Sequence, residues 1–232
     1  MNEKISYIFK TFTLICLSFL FYMCQDSKED GKETDKDKTN NSSEKGIFSQ
    51  EQDTSEITHT GIIRTTMGKI NFVLYGEDAP KTVENFVGLV HSGYYNNILI
   101  HRVAKNFLIQ TGDGNTKYKS KISEWGIGGK SYFGEEFEDE INPNTPSYKA
   151  GYSLGTIAMA NKGPNTNTSQ FFICLEESQN LEYKWTIFGK VTNGLDIVRK
   201  ISKVDIIPSE HDKNDGRPVK PIKILSITVK KK

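Results

Sequence analysis

Two lysines in the first ten residues lead into an apolar block at 11–23 (TFTLICLSFLFYM), and the chain turns abruptly polar after Cys24. A basic start, an apolar run of about 7–15 residues and a polar exit form the pattern of an export signal. The run is short for a bilayer span, which takes about 20 apolar residues. From residue 57 the pattern becomes one of short β-branched and aromatic runs punctuated by glycine. Residues 57–67 and 69–75 predict a hairpin around Met67-Gly68. Ala79-Pro80 opens a helix, because Pro fits a first turn. Val83, Phe86, Val87 and Val90 then recur at i, i+3, i+4 and i+7, and His91-Ser92-Gly93 ends it. Short strands are predicted at 98–103 and 107–110, around Ala104-Lys105-Asn106, and again at 156–160, 170–175 and 186–191. A glycine-rich stretch at 112–134 separates the two groups. Residues 195–201, after Asn193-Gly194, predict a second short helix, and 222–229 a closing strand. Many short strands, glycine-rich turns and two helices predict a mainly β fold, an antiparallel barrel with helices over its ends. No internal repeat is present.

Composition changes this picture only once it is divided. The 232 residues are 36% hydrophobic and carry a net charge of +1. Residues 1–55 hold seven lysines against ten acids, so an acidic front of −3 precedes a mildly basic body of +4. Residues 25–55 carry one aromatic, Phe48, among nine acids and five lysines, too little apolar surface to offset the entropy of ordering. The chain therefore reads as an export segment at 1–23, an acidic disordered tether at 24–56 and one folded domain at 57–232. The near-neutral total gives no electrostatic footprint for nucleic acid. Three cysteines exclude a disulfide-dense scaffold. His59, His91, His101 and His211 show no ligand spacing with those cysteines, so no metal and no cofactor is expected. His101 has no Gly-x-Ser-x-Gly elbow to serve, and the glycines at 126–129 do not form a phosphate loop. Cys174, within FFICL, reads as a buried small hydrophobe. No spare apolar helix or heptad is present, so a monomer is expected.

Three clusters carry candidate chemistry. The first joins Ile100-His101-Arg102-Val103 to Phe107-Leu108-Ile109-Gln110-Thr111-Gly112-Asp113. The second is Phe133-Gly134-Glu135-Glu136-Phe137-Glu138-Asp139-Glu140. The third runs from Met159-Ala160-Asn161-Lys162 through Gln170-Phe171-Phe172-Ile173. With Pro80-Lys81-Thr82-Val83-Glu84-Asn85-Phe86 upstream and Phe188-Gly189-Lys190-Val191 downstream, residues 59–230 resemble the cyclophilins in order and without large gaps. That resemblance implies a closed eight-stranded antiparallel barrel capped by two helices, and a peptidyl-prolyl cis–trans isomerase. The start of the chain is similar to that of bacterial lipoproteins, in which the signal is cut just before a Cys that is then lipid-modified. Cys24 stands at that place, although Phe21, Tyr22 and Met23 precede it where small residues are usual. An uncleaved anchor including residues 7–9, or cleavage elsewhere, are the alternatives. Each exports the protein, and a bacterial cell envelope is the expected location.

The implied reaction makes modest chemical demands. The barrier to X-Pro rotation, about 20 kcal/mol, comes from amide resonance lost as the bond twists. No bond breaks, so no nucleophile or cofactor is needed. An apolar pocket must take the proline ring, and a donor must stabilise the twisted amide. Arg102 matches the family's catalytic arginine and Gln110 the residue that supports it. Phe107, Leu108 and Phe172 match the proline pocket, with Leu181 on its rim. Ala160 and Asn161 match the stretch whose backbone pairs with the extended peptide, and Gln170 a polar wall. His101 matches a structural histidine. Ile100 stands where Phe is usual, and Trp185 where many members have His. Asn180 replaces a Trp that helps to bind cyclosporin, so weak cyclosporin binding is expected. The expected partners are proline-containing polypeptides and, through Cys24, a membrane. The alternatives are a proline-peptide binding module or chaperone with incidental turnover, and a surface adhesin using the basic 115–121 segment.

Overall fold

The computed structural model describes residues 54–175 and 182–232. The segment predicted as an export signal, Cys24, most of the predicted tether, Asn180 and Leu181 lie outside the described residues. Ten strands form one antiparallel sheet: β1 (His59–Thr65), β2 (Gly68–Leu74), β3 (Arg102–Ala104), β4 (Leu108–Thr111), β5 (Thr156–Met159), β6 (Phe171–Cys174), β7 (Ile187–Asn193), β8 (Ile206–Pro208), β9 (Asp215–Pro218) and β10 (Ile224–Lys231). Their spatial order is β10-β1-β2-β7-β5-β6-β4-β3-β9-β8. The ladder has free ends at β10 and β8. A single bridge, Leu99 to Lys223, brings the chain ahead of β3 to the chain ahead of β10, with the Ile100 amide donating to Ile222 and the Ile224 amide to Ile98.

The mainly β antiparallel class is as the sequence predicts, and the details differ in three ways. The strand predicted at 98–103 shrinks to Arg102–Ala104, because the amides of 98–100 go elsewhere: Ile98 donates to the Tyr95 carbonyl, Leu99 to the Thr116 hydroxyl, and Ile100 across to the Ile222 carbonyl. The sheet has ten strands rather than eight: β8 and β9 form an added hairpin on β3. Pro208, Gly216 and Pro218 hid these strands, since Pro is tolerated only at edges and Gly weakens a strand. Three α-helices are described instead of two: α1 (Pro80–His91), α2 (Pro146–Ala150) and α3 (Leu195–Ser202). The extra α2 is one short turn capped by the Thr145 side chain, which accepts from the Tyr148 amide.

Helix α1 packs its apolar face on the sheet. Phe86 sits at the centre, its ring 5.9 Å from Phe72, 5.5 Å from Phe171 and 5.4 Å from Phe188. No side chain of its own caps the first turn. Instead the Glu140 carboxylate accepts from the Lys81 and Thr82 amides at 2.9 and 2.7 Å, satisfying two orphan donors from a remote loop. Register then decides what each face carries. Val103, Ile109, Ile173 and Ile157 pair in one row across β3, β4, β6 and β5, and all four are buried in the main core. The neighbouring rows face the other way, because side chains alternate along a strand. One is Arg102, Gln110, Phe172 and Ala158, and the other is Ala104, Leu108 and Cys174.

Candidate active site

The outward rows build the site. Leu108, Phe172, Ala158, Ala104, Cys174 and Ile187 form a second apolar cluster with Tyr152, and Phe107, Ala160 and Trp185 pack against it. Trp185 stands edge-on to Phe172 with centroids 6.0 Å apart. Its backbone is fixed by Tyr152, whose hydroxyl donates to the Trp185 carbonyl at 2.7 Å and accepts from its amide at 3.1 Å. Burial raises the Tyr152 pKa, so that hydroxyl keeps its proton. Burial also lifts the Cys174 thiol to about 12, which leaves it an inert packing group.

Arg102 overlooks this cluster from β3. Its Nε donates to both oxygens of Asp215 at 3.0 and 2.9 Å, and Nη2 to one of them at 2.6 Å. Nη1 donates to Gln110 Oε1 at 3.0 Å. Gln110 Nε2 passes on to Gln170 Oε1 at 2.9 Å, and Gln170 Nε2 donates to the Gly126 and Gly128 carbonyls. The chain of bonds thus runs from β9 to the glycine-rich loop. Asp113 holds that loop by accepting from the Asn115, Gly126 and Gly128 amides. Gly112, with φ +99°, is required where the loop starts, since a Cβ there would collide with the Ser169 carbonyl oxygen.

The far wall is the 160–161 segment. The Ala160 amide donates to the Gln170 carbonyl at 2.9 Å. The Asn161 side chain donates to the Lys184 carbonyl at 2.8 Å and to Asp139 at 3.2 Å. Asp139 also accepts from the Asn167 side chain and the Asn165 amide. The structure therefore brings together Arg102, Gln110, Gln170, Phe107, Leu108, Phe172, Ala160, Asn161 and Trp185.

Two other candidates stand apart. Ile100 faces the main core with Ile63, Ile70, Ile109 and Phe171, because its amide pairs across to Ile222 and the alternation breaks before Arg102. His101 is buried, and neither ring nitrogen has a hydrogen-bond partner among the described residues. Burial lowers its pKa to about 4, with Arg102 adding to this and Asp113 opposing it. His101 is therefore neutral at pH 7. Three contributors do not stand out as site residues in the sequence: Asp215, Asp139 and Tyr152. Asp139 belongs to the second motif cluster, whereas Asp215 is 113 positions from its partner and carries no local signal.

The family model for cyclophilin type peptidyl-prolyl cis-trans isomerases matches residues 60–229. A peptidyl-prolyl cis-trans isomerase-like 1 from Aspergillus fumigatus is 41% identical over 168 residues, covering 72% of this chain and 93% of its own. The Arabidopsis thaliana peptidyl-prolyl cis-trans isomerase CYP71 is 44% identical over 178 residues, and the mouse peptidylprolyl isomerase domain and WD repeat-containing protein 1 is 38% identical over 227. The matched region spans only 25% and 32% of those two longer proteins. The crystal structure of a Cryptosporidium parvum cyclophilin type peptidyl-prolyl cis-trans isomerase superposes with a TM-score of 0.63 at 33% identity, over 75% of this chain and 98% of that one.

Proposed function

This chain belongs to the cyclophilin-type peptidyl-prolyl cis-trans isomerase family, and from that premise we propose that it catalyses X-Pro isomerisation non-covalently, with Arg102 acting over the Phe107, Leu108 and Phe172 pocket. The observation that carries this reading is the row Arg102, Gln110, Phe172 across three paired strands. Arg102 and Phe172 lie two strands apart, about 10 Å between backbones, a gap suited to a prolyl ring under an arginine fork. The ring enters the apolar cluster beside Leu108 and Phe172. The guanidinium donates towards the prolyl nitrogen, which becomes pyramidal and basic as resonance is lost. Gln110 holds the fork, and the 160–161 backbone pairs with the extended peptide. No group on the protein changes protonation. Added to a proline tetrapeptide in a protease-coupled assay, the full-length chain raises the cis-to-trans rate well above background. An uncatalysed rate with intact peptide binding would leave a proline-binding module instead.

The proposed clients lie outside the cytoplasm. The apolar block at 11–23 and the polar exit after Cys24 support export and lipid anchoring at Cys24. Mass spectrometry of the mature N-terminus tests this: a diacyl- or triacylglyceryl Cys24 is expected, and an intact Met1 overturns it. Asn180, in place of the cyclosporin-contacting Trp, supports weak binding of that drug, and submicromolar inhibition would refute it.

A further inference from the structure

We propose that Asp215 is a positioning residue for the isomerase reaction: its carboxylate clamps the Arg102 guanidinium edge-on and selects which N–H groups reach the substrate. The inference rests on the Arg102 reading above and deepens it.

Asp215 lies on the same face of the sheet as Arg102 because it pairs with Ala104 on β3, an outward position. Arg102 is its diagonal neighbour, within reach of a long side chain. The backbone of Asp215 is fixed on both sides. Its carbonyl accepts from the Ser209 amide at 2.7 Å, its amide donates to the Asp212 carbonyl at 3.2 Å, and the adjacent Asn214 carbonyl accepts from Lys105 at 2.9 Å. At Gly216 a Cβ would collide with the Ile207 carbonyl oxygen, so the hairpin carrying Asp215 is closely packed. Only 19% of the carboxylate side chain and 32% of Arg102 are exposed, which keeps the pair partly out of water.

A guanidinium has five N–H donors. Asp215 takes one on Nε and one on Nη2, and Gln110 takes one on Nη1. Two remain, one on each terminal nitrogen, and they are the donors left for a peptide. Without Asp215, Gln110 would be the sole side chain holding the fork among the described residues, and Arg102 could rotate about its long stem. The carboxylate also offsets part of the positive charge that catalysis uses. Order and field therefore act in opposite directions, and the bidentate geometry commits the site to order.

The test uses the full-length chain, with kcat and KM measured separately on a proline tetrapeptide for wild type, Asp215→Asn, Asp215→Glu, Arg102→Ala and the double variant Arg102→Ala/Asp215→Asn. Asp215→Asn is expected to lower kcat on the order of tenfold with KM within about twofold, since misorientation acts in the transition state. Asp215→Glu, which keeps the charge, is expected to recover most of that loss. In the Arg102→Ala background the second change is expected to add nothing. The Arg102 Nε–H signal in ¹⁵N NMR should be protected from solvent exchange in wild type and lose that protection in Asp215→Asn. An Asp215→Asn enzyme as fast as wild type or faster, alongside an impaired Arg102→Ala, overturns the clamp alone. A further loss in the double variant assigns Asp215 a purely structural role and also overturns it. A fully active Arg102→Ala overturns the arginine reading and the clamp with it.

Discussion

The two faces of strands β3, β4, β6 and β5 are made from the same short segments, yet they answer to different rules. On the inner face, Val103, Ile109, Ile173 and Ile157 are interchangeable in kind. Each is apolar, each is buried, and volume is what matters there. On the outer face, Arg102, Gln110, Phe172 and Leu108 differ in chemistry and take their orientation from elsewhere: Asp215 on the β8–β9 hairpin, Gln170 ahead of β6, Tyr152 behind Trp185. The inner face gives stability, and the outer face carries the proposed chemistry. Neighbouring positions one residue apart should therefore fail in opposite ways.

Phe171 and Phe172 make the sharpest contrast. Phe171 is fully buried against Phe86, Tyr95 and Phe188. Phe171→Ala should lower unfolding stability by about 3–5 kcal/mol in denaturant titration, while the surviving folded fraction keeps its turnover per molecule. A comparable loss of turnover per folded molecule would dissolve the division between faces.

His101 sits where the alternation breaks, and its effect depends on pH. The folded state holds it neutral down to about 4, whereas an unfolded histidine takes up a proton near 6.5. Between these values the unfolded chain binds more protons, so stability falls as pH falls. The loss should approach about 3 kcal/mol by pH 4. Thermal unfolding from pH 7 to 4.5 measures it, and His101→Phe should flatten that slope. An unchanged slope would assign the acid sensitivity to carboxylates.

Gln110 is the mildest case and belongs wholly to the outer face. Gln110→Ala removes the link from Arg102 to Gln170 and should slow turnover about tenfold, with stability changed by only about 1 kcal/mol. A large stability loss without a turnover loss would move Gln110 to the structural side of the comparison.

The same contrast explains what could be read from the sequence. The strands β4, β5 and β6 are short apolar runs between turn residues, and helix α1 carries the i, i+3, i+4, i+7 spacing, so these elements emerge from local sequence. That spacing also marks Phe86 as a core residue. The order of the motifs around Arg102, Gln110 and Phe172 identifies the family. The remaining features depend on contacts made across long stretches of chain. Asp215 meets Arg102 only because β9 adds to β3, and β9 contains Gly216 and Pro218, residues that weaken any strand signal. Ile100 illustrates the converse: a position adjacent to the His-Arg pair is drawn inward by its hydrogen bond to Ile222. Glu140 caps helix α1 from 59 positions away, again without a local trace.

Everything proposed for the outer face requires the Arg102 guanidinium above the apolar pocket. The most direct measurement is the protease-coupled isomerisation rate of full-length Arg102→Ala, with proline-peptide binding followed in parallel. A fall in kcat/KM of about 10²–10³-fold is expected, while the fold, and most of the peptide affinity supplied by the pocket, remain. An Arg102→Ala enzyme that isomerises at the wild-type rate would contradict it.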